Sequence, residues 1–148
     1  MERRLRRVGA IAVLAASSLV GAGFTATQAA AWERLQLEIS PRAKLVDGGR
    51  GIVLEIEASC PARHVPIEAF AYASQPDESG GGAFSNFSGI PVRCNGRTQS
   101  FVVTVHTFEG ETPFRAGPAN ASAYLLVAEH KTGQTSSTGD SEVVEVRE

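Results

Sequence analysis

Cys60 precedes His64 by four positions in the stretch Ile56–Phe70, "IEASCPARHVPIEAF". A thiol and an imidazole this close are half of a zinc site, a nucleophile with its base, or neighbours of which the cysteine is a structural staple. Zinc takes four protein ligands, or three and a water. The two other histidines, His106 and His130, lie far off in sequence and no motif gathers them with Cys60. A thiol nucleophile must be unpaired and ionisable, whereas the only other cysteine, Cys94, makes an even pair with Cys60. In an exported chain such a pair reads as a disulfide. The expectation is therefore a Cys60–Cys94 staple, with no metal and no cofactor, and with His64 as an exposed turn residue between Pro61 and Pro66.

Other chemistry has less behind it. No Gly-x-Ser-x-Gly turn is present to raise a serine nucleophile. The stretch "SGGGAFSNFSG" lacks the Gly-Lys-Ser/Thr ending of a phosphate-binding loop and reads as a flexible loop. Glu55 and Glu57 lie on the outward parity of one strand, where nothing raises the pKa of one carboxyl to make it an acid. No catalytic residues are expected, and the chain is read as a non-enzyme. The best binding candidates are the aromatics Trp32, Phe70, Tyr72, Phe84 and Phe87, two of them on a loop. Rings on a loop or an outer sheet face can stack on a sugar or an apolar ligand, although most aromatics fill cores.

The N-terminus explains why an oxidising compartment is invoked. "MERRLRRVGAIAVLAASSLVGAGFTATQAAAWERL" places four arginines before a short apolar run and ends in small residues, the pattern of a cleavable secretory signal. The run is shorter than the roughly 20 residues of a spanning helix. We place the cut after Ala31, giving a signal helix in residues 1–31 and one domain in 32–148, secreted and without a stable membrane anchor. Beyond residue 31 the chain has ten basic and fifteen acidic residues, net −5. Nucleic-acid partners need clustered basic charge, so they are not expected.

Period-2 alternation dominates the rest. Ile52, Leu54, Ile56, Ala58 and Cys60 share one face of a strand. Leu35, Leu37 and Ile39 share another, as do Phe101, Val103 and Val105, and Ala121, Ala123, Leu125 and Val127. A last strand covers 142–147. Residues 66–74 form a further strand, with alanines on one face and Phe70 and Tyr72 on the other, and its inward face stays open. Turn signals separate these runs, including Asp47-Gly48-Gly49, 75–82 and "KTGQTSSTGD". A two-residue turn at Asn95-Gly96 would pair Cys94 with Arg97, Val92 with Gln99 and Ile90 with Phe101, putting Ile90, Val92 and Cys94 on the inward face. The class is all-β, an antiparallel sandwich of about seven strands.

Three segments, "LEISPRAKLVDGGRGIVLEIEASC", "IPVRCNGRTQSFVVTV" and "TPFRAGPANASAYLLV", in this order resemble small secreted actinobacterial proteins of unknown function with an immunoglobulin-like sandwich and one disulfide. The resemblance spans nearly the whole domain and implies an immunoglobulin-like fold and an extracellular location, with no catalytic residues. A looser similarity is to the neocarzinostatin-like apoproteins, which carry a small aromatic ligand in a cleft; this chain has one cysteine pair where those have two. The functional expectation is a secreted protein- or glycan-binding or envelope-associated module, with a carrier of a small apolar ligand as the alternative.

Overall fold

The alternation of apolar and polar residues decides which face of each strand turns inward. In a computed structural model, which describes residues 34–148, that alternation builds eight strands. The signal segment and Trp32 lie outside the described residues. The strands are β1 (Gln36–Val46), β2 (Gly51–Ser59), β3 (His64–Pro76), β4 (Gly82–Phe84), β5 (Ser88–Gly89), β6 (Thr98–His106), β7 (Gly117–Glu129) and β8 (Thr135–Arg147). Seven run in one continuous sheet, ordered β4-β3-β7-β8-β1-β2-β6, with β5 paired to β3. The class is all-β, as expected. Among the described residues no helix is long and apolar enough to cross a membrane.

The anticipated faces are inward in every strand where one was assigned. Ile52, Leu54, Ile56, Ala58 and Cys60 are buried, as are Leu37, Ile39, Val103, Val105, Ala121, Ala123, Leu125 and Val127. The open face of β3 turns its alanines in: Ala71 and Ala73 are buried opposite Ala123 and Ala121 of β7. Small side chains here share one core with the large Ile52, Leu54 and Ile56 of β2, and mixing sizes in this way is how facing layers interdigitate. Phe70 and Tyr72 are thereby forced outward.

Three expectations are corrected. The pairing is not wholly antiparallel, because β1 and β8 pair in parallel at Arg42↔Glu145 through Lys44↔Arg147. The parallel contact begins just past Ser40-Pro41, which lies inside the register shift of the β1–β2 ladder between Ile39 and Ala43. Proline cannot donate to a ladder, and a bulge bends its strand. Both halves of β1 pair with β2, and the half beyond the bulge also pairs with β8.

The proposed 90–101 hairpin also does not form. Residues 90–97 are not in a strand, and β6 pairs along its whole length with β2. Tight turns from Val92 N–H to the Ile90 carbonyl and from Asn95 N–H to the Arg93 carbonyl curl the segment instead. The Gln99 side chain stands in for a ladder, donating to the Arg93 carbonyl at 2.6 Å. Ile90 and Val92 are nonetheless buried and Cys94 packs against the core, so the inward parity holds without the pairing. Lastly, β8 begins at Thr135, inside the segment read as a turn.

The disulfide joins Cys60, just past β2, to Cys94, with 4.4 Å between their Cα atoms. Gly96 N–H donates to the Cys60 carbonyl at 2.8 Å beside it. The bridge therefore ties the connector that enters β6 to the end of β2, β6's own ladder partner. At the other end of that ladder, Asp47, Gly48 and Gly49 all have positive φ. A Cβ on Gly49 would collide with the Phe114 carbonyl, while Phe114 N–H donates to the Gly49 carbonyl at 2.7 Å. The buried Gln75 amide clamps the same approach to β7, donating to the Arg115 and Pro118 carbonyls and accepting from Arg115 N–H.

Gly49→Ala is expected to destabilise the domain by roughly 1–3 kcal/mol, through strain at a left-handed position and the lost approach of Phe114. Reduction of Cys60–Cys94 is expected to cost about 3–4 kcal/mol. Denaturant unfolding of the variant and of the reduced protein checks both.

Candidate functional site

The residues first considered for chemistry do not converge. Both cysteines are in the bridge, leaving no free thiol among the described residues. His64 is a half-buried first residue of β3 and not an exposed turn residue: its N–H bonds the Pro61 carbonyl and its backbone pairs with Glu129, which draws it into the ladder. His106 pairs with Gly51, at the end of the β2–β6 ladder remote from Cys60, and lies 3.4 Å from Asp47 Oδ2 in an exposed contact. His130 is exposed beyond the end of β7. Among the described residues no three His, Cys, Asp or Glu side chains gather as a metal site. Glu55 and Glu57 are exposed on β2, and Glu57 stands directly opposite Glu38 of β1.

The aromatics do converge. Phe87 meets Phe70 edge to face with ring centroids 5.1 Å apart, and Tyr72 in the same manner at 5.3 Å. Phe70 in turn lies 5.6 Å from Tyr124. Such spacings are those of favourable aromatic pairs. Three of the five expected aromatics are thus brought together, Phe84 stands exposed outside these ring pairs, and Trp32 falls outside the described residues. Tyr124 was not anticipated. Its signal was present: Ala123 and Leu125 point inward, so Tyr124 between them points out.

Cross-strand register explains the arrangement. Phe70 pairs with Tyr124, which pairs with Gly139; Tyr72 pairs with Ser122, which pairs with Ser141. These six residues lie on the outer face of β3, β7 and β8, in two adjacent rows. With Ala123 and Asp140 they line a shallow, open concavity of about 470 Å³. Beside Tyr124 the absent side chain of Gly139 leaves the floor low. Ser122 and Ser141 share a hydrogen bond at 3.0 Å. Asp140 does not project its charge freely, because Oδ2 accepts the Ile39 N–H at 2.8 Å.

Phe87 is 67% exposed, yet its backbone neighbours are fixed on both sides. Ser85 N–H donates to the Ala73 carbonyl and Ser85 Oγ accepts from Ala73 N–H, which binds the segment to β3. Asn86 N–H donates to the His106 carbonyl at 2.7 Å and Ser88 Oγ to the Thr104 carbonyl at 2.8 Å, which binds it to β6. Residues 85–88 therefore form a seam between the two ends of the sheet path. The segment expected here as a flexible loop is hydrogen-bonded to strands on both sides, and the β3–β4 turn before it carries hydrogen bonds of its own. There Asp77 Oδ1 accepts from Ser79 Oγ, Ser79 N–H and Gly81 N–H. The Ser79 hydroxyl first, then the two amides, hold the Asp77 carboxyl below its ordinary value against an opposing desolvation.

No family model matches this chain. A search of curated proteins finds no match either. What can be said of the site accordingly comes from its own geometry.

Because the folded-state pKa of Asp77 is depressed, its contribution to the turn is present above the unfolded value and is lost as pH falls through the folded one. The Ser79 and Gly81 amide resonances are expected to titrate together with a midpoint below 3.8, and Asp77→Asn to abolish that titration.

Proposed function

We propose that this chain is an exported, non-enzymatic binding module with an immunoglobulin-like sandwich, and that its working surface is the outer aromatic face of β3, β7 and β8. Export is supported by the arginine-led apolar N-terminus and by a disulfide that suits an oxidising compartment. The sandwich reading is supported by the strand order, in which β1 pairs with β2 on both sides of a proline bulge and, beyond it, also with β8 in parallel, joining two halves of one path. It also accords with the resemblance to small secreted actinobacterial sandwich proteins. A fold of this kind hosts many tasks, so the site has to carry the functional reading.

The observation that carries it is Phe87, mostly exposed and packed edge to face against Phe70 and Tyr72. Exposing an ordered aromatic forgoes burial energy that folding alone would favour, and contiguous exposed apolar surface marks interaction sites. Rigid aromatics also lose little conformational freedom on binding. The carrier alternative has less support, since Ile52, Leu54, Ile56, Leu125 and Val127 fill the interior at 0–1% exposure. The partner is a protein or a glycan of the cell envelope or its surroundings.

The chain recovered from the culture medium of a producing cell is expected to have lost residues 1–31, and its thiols to react only after reduction, both read by intact mass. The double variant Tyr72→Ser, Phe87→Ser removes two of the clustered rings from the outer face. It is expected to keep its unfolding free energy within about 0.5–1 kcal/mol while losing retention on envelope preparations. Unchanged retention would remove the aromatic face from the reading.

A further inference from the structure

Resting on the reading of the aromatic face as the working surface, we infer that its ligand is a neutral glycan, with a sugar ring seated on Tyr124 over Gly139 and its hydroxyls bonded by the Ser122–Ser141 pair. Several features of the concavity point to this chemistry. Phe70, Tyr72 and Tyr124 present π surfaces, whose negative faces attract the weakly positive C–H edges of a pyranose. Gly139 stands in the row Phe70–Tyr124–Gly139, and a Cβ there would lie 3.8 Å from the Tyr124 ring, so glycine keeps that ring's edge uncovered by a third side chain. One hydroxyl of the Ser122–Ser141 pair donates to the other at 3.0 Å, so the pair keeps one donor and spare lone pairs for a ligand. Vicinal sugar hydroxyls, each donor and acceptor at once, match such a pair.

Charge narrows the class further. No lysine or arginine lines the concavity, and its one carboxylate, Asp140, already accepts the Ile39 N–H. Beyond residue 31 the chain carries net −5, so uronic, sulfated or phosphodiester chains meet repulsion and no compensating cation. A purely apolar ligand would cover the serine pair and leave its remaining donor without a partner, at a cost. The shallow, open form of the site suits the side of a chain better than the enclosure of a small molecule, which typically buries most of its surface. Phe87 lies outside the lining of the concavity but packs on both Phe70 and Tyr72, so it extends the aromatic surface on which a second sugar unit would lie.

The test titrates the intact oxidised protein with hexasaccharides of β-1,4-linked glucose, xylose and N-acetylglucosamine, and with an oligogalacturonate as the anionic comparison, reading amide shifts by NMR. At least one neutral hexasaccharide is expected to bind with a Kd on the order of 0.1–1 mM, shifting residues 70, 72, 122, 124, 139 and 141. Ser122→Ala with Ser141→Ala, and separately Phe87→Ala, are expected to weaken binding at least fivefold with the spectrum otherwise intact, and the oligogalacturonate to bind at least fivefold more weakly. Absence of shifts with all three neutral sugars overturns the inference, as does binding that survives both variants. A photo-crosslinking residue at position 87 separates the two readings. If the sugars fail but that residue captures a discrete protein in a Tyr72-dependent way, the glycan is wrong and the binding face stands. If both fail, the binding face falls as well.

Discussion

The hydrogen bonds of residues 85–88 hold the architecture in its curled form. A seven-strand path has two ends, and here β3 with β4 at one end and β6 at the other would each expose an unpaired edge, a recognised route to aggregation. Ser85 joins the seam to Ala73 on one side, while Asn86 and Ser88 join it to His106 and Thr104 on the other. The disulfide works on the same connector one step later, fixing its arrival at β6 through Cys94. Closure and stapling therefore act on a single stretch of chain, between β4 and β6. The exposed ring of Phe87 is a by-product of neither: a serine or asparagine at that position would serve the seam equally well.

Much of this is legible in the amino-acid sequence, and what is legible has one physical origin. Burial imposes period 2 on a strand, so the inward sets of β1, β2, β6 and β7 could be read directly, and the two thiols fell on the inward parity. Elements held by other forces left no such mark. The seam is held by backbone groups and serine hydroxyls, which have no periodicity, and its glycine-rich setting looks like slack chain. The 90–97 connector carried an Asn-Gly pair that fits a hairpin, yet the bridge and the Gly96–Cys60 hydrogen bond hold it against the end of β2. The outward side of β7 was readable from its inward side, so Tyr124 was within reach; the undecided face of β3 hid the partners that give it meaning.

The two outer faces of the molecule differ in kind. The face of β3, β7 and β8 gathers rings and hydroxyls with little charge, whereas that of β1, β2 and β6 carries Glu55, Glu57 and Glu38, the last two directly opposed. Like charges across a ladder cost stability, and at the surface that cost is moderated by water and salt. That second face is nonetheless not purely charged, since Val102 of β6 stands exposed opposite Glu55.

The parallel contact of β1 with β8 bears on how the domain folds. Its partners, Arg42–Lys44 and Glu145–Arg147, lie far apart in sequence, so the central pairing of the sheet is a long-range one. Non-local closure of this kind makes folding slow and leaves apolar strands uncovered meanwhile. The two parts of the sheet path, β4-β3-β7-β8 and β1-β2-β6, are thus joined in the ladder by segments about a hundred residues apart, and the junction between them carries the largest loop-closure cost in the fold.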